Sequence, residues 1–165
     1  MTFLVVFAAQ YLYLLVIAIG ILFLLFAKSS VKKSMVLLST VALPISFIIG
    51  KLLEHFVMSP RPFMVEHVQP LVAHAAGNSF PSSHTLLTMA VASIIFVYNK
   101  KLGIFLAILA LLVGIARVIS KLHYPQDIMG SIVIAVGITY LSWRVINTKR
   151  AQKIIAYYQE NLLKL

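Results

Sequence analysis

The sequence predicts an all-α protein, a polytopic membrane helix bundle with about five transmembrane helices. Three observations favour this fold class. Of the 165 residues, 61% are hydrophobic and only 11% are charged, whereas about a quarter of an average soluble domain is charged. The apolar residues form five long stretches separated by polar segments. No window of about ten residues alternates as the strands of a membrane β-barrel do.

Each apolar stretch has the length, or nearly the length, of a membrane span. A helix of about 20 residues crosses the hydrocarbon core of roughly 30 Å. The stretches are residues 3–27, 35–58, 83–98, 102–120 and 127–146. The first lacks preceding basic residues and a cleavage site, so we expect a spanning helix rather than a signal peptide. The third is short, which favours a tilted or recessed helix.

We expect one integral membrane domain over residues 1–165, with a basic amphipathic tail at 147–165. The net charge of +10 is explained by topology rather than by a nucleic-acid partner. Ten basic residues share the side of the tail: Lys28, Lys32, Lys33, Lys100, Lys101, Arg144, Lys149, Arg150, Lys153 and Lys164. The opposite side holds Lys51, Arg61, Arg117 and Lys121. The positive-inside rule therefore predicts a cytoplasmic C-terminus and an outer N-terminus.

The polar residues that topology does not explain lie on the outer side, with all five histidines among them. Ionisable groups cost about 2.5–3.5 kcal/mol each near the centre of a membrane helix, so they indicate function by default. Three polar segments, residues 51–63, 79–84 and 117–127, fall at outer helix ends. We therefore expect them to converge at one level of the membrane.

The residue types in these segments suit phosphoryl transfer from a monoester or a diphosphate. Arg61 and Arg117 can bind phosphate oxygens in a bidentate manner, and Lys51 can add a point charge. Ser82 and Ser83 stand at the expected start of a helix, where free backbone N–H groups and the helix dipole favour an anion.

Two histidines and an aspartate complete the candidate site. His123 could attack phosphorus while Asp127 fixes its tautomer and stabilises the charged ring. His84 could protonate the leaving oxygen and later activate water. The remaining histidines lack metal-ligand spacing, and a chain without cysteine has no thiolate site, so no metal or cofactor is expected.

Together, these segments resemble the three-part signature of the type 2 phosphatidate phosphatase superfamily, which includes the vanadium haloperoxidases. The resemblance covers residues 51–127, in the motifs Arg61-Pro62, Pro81-Ser82-Ser83-His84 and Arg117-x5-His123-x3-Asp127. Arg61-Pro62-Phe63, His74-Ala75-Ala76 and the short five-span build also resemble the bacterial undecaprenyl pyrophosphate phosphatase branch.

The resemblance implies His123 as a nucleophile that forms a phosphohistidine and His84 as the general acid. It implies that Arg61 and Arg117 bind phosphate, that Asp127 orients His123, and that no metal is required. The implied substrate is undecaprenyl diphosphate, hydrolysed at the outer leaflet of a bacterial inner membrane to undecaprenyl phosphate and inorganic phosphate. Such an enzyme would serve peptidoglycan synthesis and bacitracin resistance.

Three positions depart from the family pattern. Glu54 stands where the family has a lysine seven residues before the arginine. Lys51, one turn earlier, could replace that lysine or could simply pair with Glu54 or extend to the interface. Ser83 replaces the glycine of the second motif but keeps its N–H, and Ala116 replaces a serine before the third.

Other functions stay open on the residues alone, which indicate only a phosphate-bearing lipid. Within the phosphatases, the alternative is a phosphatidylglycerophosphate or phosphatidate phosphatase. From another class, the alternative is a non-catalytic transporter whose outer arginines and histidines bind anions. Arg117 could also serve as a structural ion-pair residue, with Glu54 as its partner.

Overall fold

The computed structural model describes residues 2–162, and it describes their side chains except at positions 156 and 158–162. The described chain is helical, with one isolated β-bridge between Pro60 and Asn78 and no β-strand. The helices are α1 (Thr2–Gln10), α2 (Leu12–Phe26), α3 (Ser29–Phe56), α4 (Pro62–Val65), α5 (Ser83–Tyr98), α6 (Lys100–Ile119), α7 (Pro125–Ile146) and α8 (Lys149–Leu162). The predicted all-α membrane bundle is confirmed.

Each of the five apolar stretches forms a helical unit. Within the described residues, α3, α6 and α7 are each long and apolar enough to cross a membrane, and α1 with α2 makes a fourth candidate if the pair is one bent span. Helix α5 has 16 residues and is shorter than a full span. The third stretch is therefore short, as expected, and the described residues contain three or four candidate spans.

The first stretch is broken, where the sequence predicts one continuous helix. Helices α1 and α2 meet at Tyr11 with a bend of 47°. A continuous helix would pair the carbonyl of Ala9 with the N–H of Tyr13. That carbonyl instead accepts a hydrogen bond from Arg117 Nη1, at 3.1 Å. A side chain that enters the ladder of hydrogen bonds in this way bends a helix, and no proline or glycine is needed here.

Helix α5 is the centre of the bundle and packs against α2, α3, α6 and α7. Small residues allow the close approach. A Cβ atom at Gly114 would lie 2.6 Å from Ile128 Cγ2, so α6 and α7 meet closely there. A Cβ atom at Gly130 would likewise clash with the ring of Phe80, which lies just before the start of α5. Such packing holds the helix ends that carry the polar motifs against one another.

Large apolar side chains project outward from the spans, as a bilayer requires. Examples are Phe47, Ile108, Met129 and Val133, which are exposed in the isolated chain. The predicted tail is helical in α8, whose side relative to the membrane stays a prediction. Lys164, one of its basic residues, lies outside the described residues.

Candidate active site

The turn after α6 brings His123 back beside Arg117. Lys121 has a left-handed φ of 61°, and its N–H donates to Val118 O at 3.0 Å. The N–H of Leu122 donates to Arg117 O at 3.1 Å, which completes a Schellman motif. The chain reverses direction within this turn. His123 consequently follows the buried end of the helix, and its own side chain is 3% exposed.

Asp127 lies in the first turn of α7 and is fully buried. Its Oδ2 accepts a hydrogen bond from the backbone N–H of Tyr124 at 2.8 Å, at the helix end where the dipole favours an anion. The same oxygen lies 3.4 Å from His123 Nδ1, which is longer than an ordinary N–H···O bond. The carboxylate therefore faces the Nδ1 side of the imidazole.

Arg61 faces the other nitrogen of the same ring. Its Nη1 lies 3.4 Å from His123 Nε2 and donates to Leu122 O at 3.1 Å. The segment of Arg61 is anchored on this turn by the N–H of Phe63, which donates to Lys121 O at 3.1 Å. A guanidinium group can only donate, so the neutral ring that fits both neighbours carries its proton on Nδ1. The lone pair of Nε2 then points towards the cationic side.

Burial lowers the pKa of His123 below its usual value of 6.5. Asp127 opposes this effect and raises the pKa, while Arg117 and Arg61 lower it. The net direction is downward, so the imidazole is neutral at pH 7. A neutral imidazole is the form that can act as a nucleophile.

The start of α5 supplies His84 and a set of backbone N–H groups. The side chain of Ser82 does not cap the helix, since its Oγ accepts a hydrogen bond from Thr85 Oγ1 at 3.1 Å. The buried Ser131 of α7 donates to Ser82 O at 3.1 Å and fixes this helix start. The first N–H groups of α5, including that of Ser83, consequently remain suited to an anion.

The two arginines of the candidate site have N–H donors that no described residue accepts. Arg61 and Arg117 are buried, and in each the Nε atom has no hydrogen-bond partner among the described residues. Each guanidinium gives Nη1 to a backbone carbonyl, of Leu122 and of Ala9 respectively. A phosphate group offers acceptors with the geometry that such planar donors prefer. The geometry is therefore suited to an anion with several oxygens.

The structure brings together the five residues on which the sequence argument rests. Arg61, Arg117 and His123 all lie close enough to His84 to act on it electrostatically, and Asp127 contacts His123. Ser82 and Ser83 stand at the same helix start as His84.

Lys51 differs from these residues. Its Nζ pairs with Glu54 Oε2 at 2.6 Å and is largely exposed, and its role in phosphate binding stays a prediction. The alternative pairing of Arg117 with Glu54 is not seen, since Arg117 bonds to Ala9.

Sequence reasoning missed two contributions from the first apolar stretch. One is the carbonyl of Ala9, which holds Arg117. The other is Tyr13, whose ring lies edge-on to that of His84. Tyr13 could have been noticed because its hydroxyl group is polar and its neighbours in the sequence are apolar. No sequence signal marks the backbone carbonyl of Ala9. Within residues 2–162, no group of three His, Cys, Asp or Glu side chains is placed to hold a metal ion.

Replacement of Asp127 by Asn is expected to lower turnover roughly 10²- to 10⁴-fold with little change in apparent affinity, because the ring loses its orientation but no phosphate donor is lost. The carboxylate raises the pKa of His123, so its removal lowers that pKa further. The acid limb of kcat/KM should therefore move to lower pH. The measurement is phosphate release from a lipid phosphate across pH, with Glu66→Gln as the control. Unchanged turnover would remove Asp127 from the mechanism, and a shift to higher pH would contradict its electrostatic role.

Comparison with known proteins identifies the family of the chain. The PAP2 superfamily profile matches residues 33–151, a range that contains both arginines, both histidines and the aspartate of the site. Bacitracin transport permease protein BcrC of Bacillus licheniformis is 28% identical over 158 residues, which cover 94% of this chain and 77% of that protein. Undecaprenyl-diphosphatase BcrC of Bacillus subtilis (strain 168) is 35% identical over 120 residues, which cover 72% of this chain and 62% of that protein.

The fold has a solved counterpart. The crystal structure of LpxE from Aquifex aeolicus aligns with a TM-score of 0.72 and 24% identity, covering 86% of each chain. That similarity concerns the fold, while the family match concerns the sequence of residues 33–151. The chain belongs to the PAP2 superfamily.

Proposed function

We propose that this membrane phosphatase hydrolyses undecaprenyl diphosphate to undecaprenyl phosphate and inorganic phosphate through a phosphohistidine. The observation that carries the proposal is the position of His123, with Nδ1 facing Asp127 and Nε2 facing Arg61. The choice of lipid is supported by the 35% identical relative, which is named an undecaprenyl-diphosphatase. Regeneration of the carrier lipid would link the enzyme to peptidoglycan synthesis and to bacitracin resistance.

In the first step, Nε2 of His123 attacks the terminal phosphorus and the bond to the bridging oxygen breaks. His84 gives its proton to that oxygen, so undecaprenyl phosphate leaves. Asp127 stabilises the positive charge that develops on the His123 ring. Arg61, Arg117 and the N–H groups at the start of α5 would hold the equatorial oxygens, where charge is spread in the transition state.

In the second step, His84 accepts a proton from a water molecule, whose oxygen attacks the phosphohistidine. The P–N bond breaks, inorganic phosphate forms, and neutral His123 is restored. His84 thus ends the cycle protonated, as it began, and no electron transfer takes place. Both steps use one group on the leaving-group side of phosphorus, so the proposal requires His84 to lie on that side.

Release of inorganic phosphate from undecaprenyl diphosphate by purified protein in detergent, with EDTA present, tests the proposal. Replacement of His123 by Ala is expected to abolish release, with His67→Ala as a control on the outer loop. Phosphatidylglycerophosphate and phosphatidate assayed side by side identify the lipid, and faster release from either would overturn the substrate assignment.

One relative is named a transport permease, which keeps a non-catalytic anion transporter as the second candidate. Phosphate binding without turnover by the wild type would favour that candidate.

An apolar cleft beside the site supports a lipid substrate. A cavity of about 170 Å³ lies between α3 and α5, with Lys51 and Ser83 at its polar end. A second cavity of about 300 Å³ continues among α2, α3 and α5 towards Met35, and the two cavities share Leu43 and Leu87. A phosphate at the start of α5 would therefore place its hydrocarbon chain in this cleft.

Replacement of Leu87 by Trp should narrow the cleft at the point where its two parts meet. We expect the KM for undecaprenyl diphosphate to rise about tenfold or more, because the chain loses contact area. The KM for isopentenyl diphosphate, whose chain is too short to reach this point, should not change. Leu141→Trp, on an exposed part of α7, is the matched control. Equal effects on both substrates would contradict chain binding in the cleft.

We further propose that the site faces the exterior, with α8 on the cytoplasmic side. The support is the excess of basic residues at the opposite ends of the helices.

The chain has no cysteine, so single cysteines can report its orientation. On intact spheroplasts, a membrane-impermeant maleimide should label Val68→Cys, in the loop beside the site, and should label Lys101→Cys only after permeabilisation. The reverse pattern would place the site in the cytoplasm. Phosphate release by each variant serves as the control for correct folding.

A further inference from the structure

The bent helix pair α1–α2 reaches the candidate site at two points. The carbonyl of Ala9 accepts a hydrogen bond from Arg117 Nη1 at 3.1 Å. The rings of Tyr13 and His84 pack at right angles, with centroids 4.5 Å apart and an interplanar angle of 82°. Both residues lie before position 33, where the match to the PAP2 superfamily begins. This part of the site is therefore additional to the family motifs.

The two histidines of the site are held in different ways. His123 has polar neighbours on both ring nitrogens, Asp127 on one and Arg61 on the other. The ring of His84 is half-buried and takes part in no hydrogen bond with the described residues; its ring contact is with Tyr13. Perpendicular packing of aromatic rings is a favourable and directional arrangement. It limits the rotation of the imidazole and leaves its nitrogens free for proton transfer.

The bend explains how Tyr13 comes to this position. Helix α2 begins at Leu12, directly after the break, so Tyr13 lies in its first turn. The bond between Ala9 and Arg117 is made by α1 immediately before the same break. The break thus places Ala9 beside Arg117, the proposed phosphate-binding residue, and Tyr13 beside the proposed acid. A straight helix would have used the Ala9 carbonyl for its own ladder.

We propose that Tyr13 is a positioning residue that holds the His84 imidazole, through ring packing, in the orientation for proton transfer to the leaving oxygen. The inference rests on the proposed role of His84. In this proposal, the aromatic ring of Tyr13 positions His84, and the hydroxyl group of Tyr13 is not required. Loss of the ring should slow the step that needs an acid and leave phosphate binding intact.

The test compares substrates that differ in their need for an acid. An alkyl monophosphate has a poor leaving group that requires protonation, whereas p-nitrophenyl phosphate has a good one. In the first turnover, Tyr13→Leu is expected to release the alkyl alcohol about tenfold more slowly than the wild type. It should release p-nitrophenol at nearly the wild-type rate, with KM for both substrates little changed. Tyr13→Phe, which keeps the ring, should restore the wild-type rate.

Two outcomes would overturn the inference. Equal slowing of both substrates by Tyr13→Leu would indicate a general structural defect, and a Tyr13→Phe variant as slow as Tyr13→Leu would transfer the role to the hydroxyl. Tyr140→Leu, at the far end of α7, is the control for loss of an exposed tyrosine.

Replacement of His84 by Ala separates the inference from the function on which it rests. If this variant releases the alkyl alcohol at the wild-type rate, His84 is not the acid and the proposed function fails at that point. If the variant is slow, adding Tyr13→Leu should slow it no further, because Tyr13 acts through His84. An additional loss in the double variant would show that Tyr13 acts by another route.

Discussion

The structure depends on how the N–H donors of two buried guanidinium groups find hydrogen-bond acceptors. Arg61 and Arg117 are largely removed from water, where a cation without acceptors is costly. Backbone carbonyls accept one hydrogen bond from each guanidinium group. Leu122 O, in the turn after α6, accepts from Arg61, and Ala9 O, at the break in the first span, accepts from Arg117. Both acceptors lie where regular helical hydrogen bonding is interrupted. The arginines and the irregular backbone therefore support each other.

This arrangement leaves some donors without acceptors in the described part of the protein. The Nε atoms of Arg61 and Arg117 have no hydrogen-bond partner there, and Arg61 Nη1 lies beside Nε2 of His123. Asp127 is placed behind the His123 ring, so it can orient the ring without competing for a bound anion. A surplus of donors of this kind is suited to a phosphate group, and His123, the proposed nucleophile, lies beside Arg61.

The polar candidate site and the apolar cleft are built from the same helices. The start of α5 contributes Ser83 and His84 to the polar region, and one turn later the helix lines the apolar cleft. Helix α3 makes the same transition in the opposite direction, from Leu43 to Lys51. A lipid phosphate needs a polar and an apolar region in direct contact, and the two antiparallel helices provide both.

Much of this protein could be predicted from its sequence, because the relevant signals are local. The apolar stretches predicted the helices, since a chain in a bilayer must satisfy its backbone internally. The spacing of Arg117, His123 and Asp127 spans one helix end, one turn and one helix start, so their convergence is largely a local matter. The convergence of Arg61 and His84 with them followed from topology, which places these helix ends at one level.

Tertiary structure decided what depends on contacts between distant segments. The break at Tyr11 has no local cause such as proline or glycine, and it coincides with a bond from Arg117, 108 residues away from Ala9. The packing of Tyr13 on His84 depends on the same bend. The pairing of Lys51 with Glu54 was one of the options that their spacing allowed, and the side-chain rotamers of the folded protein form it. Sequence thus determined which groups reach the site, whereas long-range packing decided how each one is held.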